Sequence, residues 1–245
     1  MGNMMKKRMA RILTGALTLL MLCGVSMNVL AENGGRGARD QNQYQCYSIR
    51  LNLTKCHARI SYLNTRQAEL EKRLDIEKRK LAIGYSTKLE VAAIQSEVDI
   101  NRLDIQGVEE EAGLQKKLLA LYGAEVVEVE LPDTLEELGD GSNDGLDAGW
   151  LQGDSAQSDK AQLEMKIYRM QQETAYRQAR LKVQEYDSAI ALMEQRIENG
   201  RLLYEKGRLR EVDIMELETE KERLVYERKS CICDALLESY ELENL

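Results

Sequence analysis

The sequence predicts an all-α protein made of two long antiparallel coiled-coil hairpins in tandem, and three observations predict it. Ala, Leu, Lys, Arg and Glu together make up nearly half of the 245 residues, the composition of long helices and coiled coils. One Pro and no Phe leave few helix breakers and few bulky aromatics, which disfavours a large enzyme core. Shifting the chain by 123 residues lays Leu70-Glu71-Lys72-Arg73-Leu74-Asp75 on Met193-Glu194-Gln195-Arg196-Ile197-Glu198, Gly84 on Gly207 and Leu114 on Leu237. A long fixed period reads as one unit used twice.

Residues 1–31 read as an export signal: Lys6, Lys7, Arg8 and Arg11, an apolar run from Ile12 to Leu22, then Val29-Leu30-Ala31 with small residues at the cleavage offsets. Leu22 before Cys23 is too large for a usual lipoprotein cleavage site. The apolar run is shorter than the roughly 20 residues that span a bilayer. Removing four cations and no anions takes the net charge from -8 to -12, which argues against nucleic acid as a partner.

The first hairpin repeat occupies residues 32–123. Its first arm carries a seam of alternating three and four spacings: Cys46, Ile49, Leu53, Cys56, Ile60, Leu63, Gln67, Leu70, Leu74, Glu77, Leu81. After Gly84 the seam resumes as Val91, Ile94, Val98, Asn101, Ile105, Val108, Ala112, Gln115, Leu119, Tyr122. A glycine between two amphipathic helices can take φ > 0 and reverse the chain. Thr87, with Glu90 three residues later, is suited to cap the returning helix.

Residues 124–158 hold a short strand, expected over Ala124–Leu131 from its alternation and ended by Pro132, followed by a flexible acidic Gly-rich linker. The second hairpin repeat occupies residues 159–245. Tyr176, Ala179, Val183, Tyr186, Ile190, Met193, Ile197, Gly200 and Tyr204 precede its turn near Gly207; Ile214, Leu217, Leu224, Cys231, Ala235 and Leu242 follow, interrupted by Lys221 and Arg228. Arg210 stands where the first copy has its Thr87 cap, and Arg208 where it has Tyr85.

Little here suggests chemistry. His57 is the only histidine, so a His-based triad or multi-histidine metal site is excluded. Asp140, Ser142, Asp144 and Gly145 imitate a calcium loop, but Leu151 stands where its bidentate Glu belongs. The carboxylates alternate with Lys and Arg as on salt-bridged helix surfaces. No catalytic residue, metal or cofactor is expected. Cys56, Cys231 and Cys233 lie at similar distances from their turns, so a disulfide joining Cys56 to one of the pair is one expectation for an exported chain, and buried thiols are the other.

The export signal, duplicated hairpins and glycine tips together resemble the TolC family of outer-membrane efflux proteins, whose tip motif is similar to G-x-x-T-x-x-D-V. The chain has Gly84-Tyr85-Ser86-Thr87-Lys88-Leu89-Glu90-Val91 and Gly207-Arg208-Leu209-Arg210-Glu211-Val212-Asp213-Ile214; Arg210 departs from Thr. No strand pairs of barrel length precede Gly84 or Gly207, so the resemblance is to the helical portion without its barrel.

The resemblance implies a non-enzymatic component of an efflux or type I secretion assembly, located in the outer membrane or a periplasm-like space. It implies that the motif residues other than Lys88 and Glu211 form tips that dock a membrane-fusion adaptor bound to an inner-membrane pump of RND or ABC type. It also implies a homo-oligomer, a trimer by analogy. The rival from a different class is an exported coiled-coil scaffold of the envelope with no transport activity.

Overall fold

The computed structural model describes residues 37–132 and 156–243. The expected leader and most of the acidic linker, with its calcium-like residues, lie outside the described residues. The chain divides into two units, Met1–Gln45 and Cys46–Leu245. The four helices are α1 (Gly37–Ala82), which begins in the first unit, α2 (Lys88–Leu121), α3 (Ala156–Glu205) and α4 (Glu211–Glu243). At 1.5 Å per residue, the 50 residues of α3 make a rod about 75 Å long. Among the described residues, no helix is long and apolar enough to cross a membrane.

Each seam becomes a packed face. On α2 the buried residues are Val98, Asn101, Val108, Ala112, Gln115 and Leu119, every one a seam position. Val108, Ala112 and Leu119 join Ile49, Leu53, Cys56 and Leu63 of α1 in one cluster; Val98 joins Leu70 and Leu74 in a second. Asn101, almost fully buried, donates from Nδ2 to the Leu63 carbonyl at 3.0 Å and to Gln67 Oε1 at 2.9 Å. A buried amide whose donor finds both partners in only one alignment fixes the register of the pair.

The second hairpin packs likewise, with Met193 and Ile197 of α3 against Ile214 and Leu224 of α4. The two cations that interrupt the α4 seam reach across the hairpin: Lys221 pairs with Glu194 at 2.9 Å, and Arg228 with Asp187.

The hairpins join through α1 and α4, which run antiparallel. Lys55 pairs with Asp234, Tyr62 stacks on Tyr226 with ring centroids 6.3 Å apart, and Tyr47 stacks on Tyr240 at 5.1 Å. Lys72 meets Glu211 at 2.7 Å, so both tips stand at the same end. Because each is flanked twice, α1 and α4 bury a second face absent from the expected seams: Leu51 and Ala58 on one, Val212, Thr219, Ile232, Cys233 and Leu236 on the other. Leu51, Ile232, Cys233 and Leu236 close the base with Tyr176 and Val183 of α3.

The strand expected over Ala124–Leu131 does not form. The segment has no regular secondary structure; it lies along the helices as a strap, and no strand stands among the described residues to pair with it. The Arg50 guanidinium donates to the Glu125 carbonyl at 3.2 Å, and Glu128 Oε1 sits 2.6 Å from His57 Nδ1. The alternation that suggested a strand instead lays Val129 and Leu131 on the base cluster.

Candidate functional site

The two tips share one backbone solution. Gly84 and Gly207 have φ of 79° and 66°, the left-handed region open to glycine. At the first tip the Gly84 N–H donates to the Leu81 carbonyl and the Tyr85 N–H to the Lys80 carbonyl; at the second, Gly207 donates to Tyr204 and Arg208 to Leu203. This is the paired bonding of a Schellman motif, which satisfies carbonyls that a helix end leaves open.

The returning helices start differently. Thr87 caps α2 with a reciprocal capping box: its Oγ1 accepts from the Glu90 N–H at 3.2 Å, and Glu90 Oε2 accepts from the Thr87 N–H at 2.7 Å. Ser86 Oγ adds a bond to the same carboxylate at 3.1 Å. These bonds, first those from Thr87, hold the Glu90 carboxyl below its usual range, and Ser86 and Lys80 do the same for Glu77.

The second tip keeps half of that arrangement, although the sequence suggested no cap there. Asp213 Oδ2 accepts from the Arg210 N–H at 3.0 Å, while the Arg210 guanidinium folds back onto the same carboxylate. The guanidinium contact lowers the Asp213 pKa and raises that of Arg210. Leu209, the counterpart of Ser86, tucks against the small Gly200 and packs with Ile214 and Leu217.

The expected docking residues divide into surface and support. Tyr85, Thr87, Leu89, Glu90, Arg208 and Arg210 are exposed. Ser86, Val91, Leu209 and Asp213 are half-buried, and Val212 and Ile214 are buried, so in this structure those two support the tip rather than face a partner. The motif missed Ile83, which is exposed beside Tyr85, and Lys206 beside Arg208. Both lie one residue before a turn glycine, outside the pattern. The first tip therefore offers apolar groups and the second offers cations.

All four described cysteines are free thiols. Cys56 and Cys233 do stand at one height, next to the Lys55–Asp234 pair, but Cys56 lies in the α1–α2 cluster and Cys233 in the base cluster. The bridge expected among Cys56, Cys231 and Cys233 is not made in this structure, because the seams turn these side chains into separate cores. Burial pushes the Cys56 thiol up to about 11 and Cys233 up to about 12.

No protein-family model matches the chain, and no curated protein matches it. Among solved structures the fold is similar to CusC, a protein whose conformational changes accompany folding and transmembrane channel formation. The TM-score is 0.55 at 12% identity, over 82% of this chain and 74% of that one. The outer membrane protein VceC of Vibrio cholerae gives a TM-score of 0.48 at 12% identity, over 84% and 69%. The likeness to CusC is one of fold: long helical hairpins of the kind the sequence predicts.

Proposed function

We propose that this chain is an exported, TolC-like component of an efflux or type I secretion assembly, which docks a membrane-fusion adaptor through its two tips and serves as a helical conduit without catalysis. The observation that carries this reading is that both glycine tips stand at one end, where Lys72 meets Glu211, with apolar groups on one and cations on the other. The tip motif's resemblance to the TolC family and the fold's likeness to CusC support it. In this reading the adaptor links the tips to an inner-membrane pump of RND or ABC type, and several copies of the chain surround the path.

The rival, an envelope scaffold that conducts nothing, is favoured by one observation: no strand occurs among the described residues. The test is binding of the purified chain to a purified membrane-fusion adaptor. Gly84→Val and Gly207→Val should each weaken binding by distorting a tip. Undiminished binding by both variants would overturn tip docking and favour the scaffold.

A further inference from the structure

The tip end carries a charge opposite to that of the chain. Residues 77–90 and 200–213 hold eight cations and five anions, a net +3, whereas the whole chain is at -8 and the rest of it therefore at -11. Most of that negative charge lies far back along the helices, where it does not cancel the tips, because exposed charges are screened beyond about 8 Å in physiological salt.

The tip cations fall into two sets. Arg79 pairs with Asp75 at 2.6 Å, Lys80 with Glu77 at 3.0 Å, Arg201 with Glu218 at 2.8 Å, and Arg210 with Asp213. Lys78, Lys88, Lys206 and Arg208 are exposed and enter no ion pair among the described residues.

These four cations share one layer, and the apolar groups stand ahead of it. Counted from the Tyr62–Tyr226 stack, Gly84 lies 22 residues on along α1 and Gly207 lies 19 back along α4; counted from the Lys72–Glu211 pair, the figures are 12 and 4. By both counts the first tip reaches past the second, by about 5–12 Å at 1.5 Å per residue. Lys206 and Arg208 flank Gly207 and so stand level with residues 76–81 of α1, where Lys78 lies. Asn101 is bonded to Gln67, so Lys88, thirteen residues earlier on α2, stands about level with Lys80. Ile83 and Tyr85, 69% and 82% exposed, occupy the leading turn, with Leu89, 79% exposed, on its flank.

An apolar apex backed by a layer of unpaired cations has the cross-section of an anionic lipid leaflet. Apolar side chains embed roughly 5–10 Å, to the boundary of headgroups and acyl chains, while Lys and Arg stay among the headgroups. Tyr85 suits that boundary, with a polar hydroxyl at one end of an apolar ring. The offset favours lipid over a flat protein surface, on which anchors and cations would need to lie in one plane.

We propose that the tip end binds the surface of an anionic bilayer, with Ile83 and Tyr85 inserted and Lys78, Lys88, Lys206 and Arg208 at the headgroups. The rest of the chain, net negative, is repelled by the same surface, so the protein stands on its tips instead of lying flat. The contact is shallow and peripheral. It goes beyond adaptor docking and does not rest on it: the bilayer is what the tips meet in a chain that has bound no adaptor.

The test reads the tip directly. In the full chain, Tyr85→Trp combined with Trp150→Phe puts the only indole at the apex, since Trp150 is the single native one, and keeps the expected leader from contributing to the signal. Vesicles of phosphatidylglycerol and phosphatidylcholine in equal parts, brominated on their acyl chains, should quench that indole, and vesicles of phosphatidylcholine alone should not. Adding Lys206→Glu and Arg208→Glu should raise the lipid needed for half-quenching by roughly 25-fold or more, because each cation near an anionic surface is worth about fivefold. Added salt should act in the same direction, and the helical circular dichroism should be kept throughout.

An unquenched indole, equal quenching by phosphatidylcholine alone, or a half-quenching point unmoved by the two charge changes would each overturn the proposal. If the charge changes weaken binding to a purified membrane-fusion adaptor while anionic vesicles leave the indole unquenched, the surface belongs to a protein and the lipid reading fails. A chain whose apex is quenched but which binds no adaptor loses only the docking reading.

Discussion

The tips of the two hairpins make the same turn and finish it with different chemistry. Both end a helix on a left-handed glycine with the same pair of bonds. At the first, Ser86, Thr87 and Glu90 form a neutral-to-anionic hydrogen-bond latch, and Ile83, Tyr85 and Leu89 stay exposed. At the second, Leu209 lies against Gly200 as an apolar latch, and Arg210 pairs with Asp213. Leu89 is exposed, yet its counterpart Val212 is buried, because α4 has neighbours on two sides and α2 on one. Backbone geometry is thus set locally by glycine, while the chemistry a tip presents depends on how many helices surround it.

The sharpest way to break this comparison is to remove the shared part. A Cβ at either turn glycine meets nothing within 4 Å, so the penalty is conformational alone. Gly84→Val and Gly207→Val should each cost about 1–3 kcal/mol, by similar amounts, in urea unfolding. A cost at one tip only would mean that the turns are not equivalent.

The next effect separates the tips. Thr87→Ala should cost about 1 kcal/mol, as loss of an N-cap does, while Arg210→Ala should cost less, because Asp213 keeps its bond to the backbone N–H and the lost ion pair is exposed. Thermal unfolding of the two variants ranks them, and equal losses would put the Arg210 guanidinium on a par with the Thr87 cap.

Gly200→Ala should be smaller and of opposite sign. Its Cβ would meet Leu209 Cδ2 at 3.4 Å and Leu217 Cδ1 at 3.5 Å, ordinary contact, so better helix propensity should stabilise by roughly 0.5–1 kcal/mol. Gly200→Glu, which copies Glu77 of the first hairpin, should expel Leu209; unfolding by urea would show a loss instead of a gain.

The smallest effects are local. Glu90 and Asp213 have folded-state pKa values below their unfolded ones, so their contribution is present above the ordinary carboxylate range and is lost as pH falls through the depressed values. Amide exchange at Thr87 and Arg210, corrected for the intrinsic rate, should lose protection together in acid. High salt should loosen the Arg210–Asp213 contact more than the capping box.

The hairpins, their turns and the α2 seam were legible because helical period, glycine and the Thr87–Glu90 spacing are local signals. Asn101 and Gln115 could be assigned to a buried seam from spacing alone, despite their polarity. What the sequence did not disclose was non-local. The second buried face of α4, carrying Ile232 and Leu236, depends on the neighbour that α4 acquires, and the alternation of residues 124–131 serves equally for a strand or for a strap along helices. At the site, the glycines and the Thr87 cap were readable, whereas the bond from the Arg210 N–H to Asp213 was not, and the burial of Val212 and Ile214 and the exposure of Ile83 depend on packing.

The double-faced character of α1 has a consequence for the order in which the molecule can be made. Its partner on one side, α2, follows directly in the chain, so that contact is local and quick to form. Its partner on the other side, α4, comes after both α2 and α3 in the chain. Until α4 emerges, Leu51 lacks the Ile232, Cys233 and Leu236 part of its cover, and the half-made chain presents a sticky stripe of the kind that invites aggregation or a chaperone. A nascent chain halted before Glu211 should hold its first hairpin together yet bind more of an apolar-surface dye than the finished protein does.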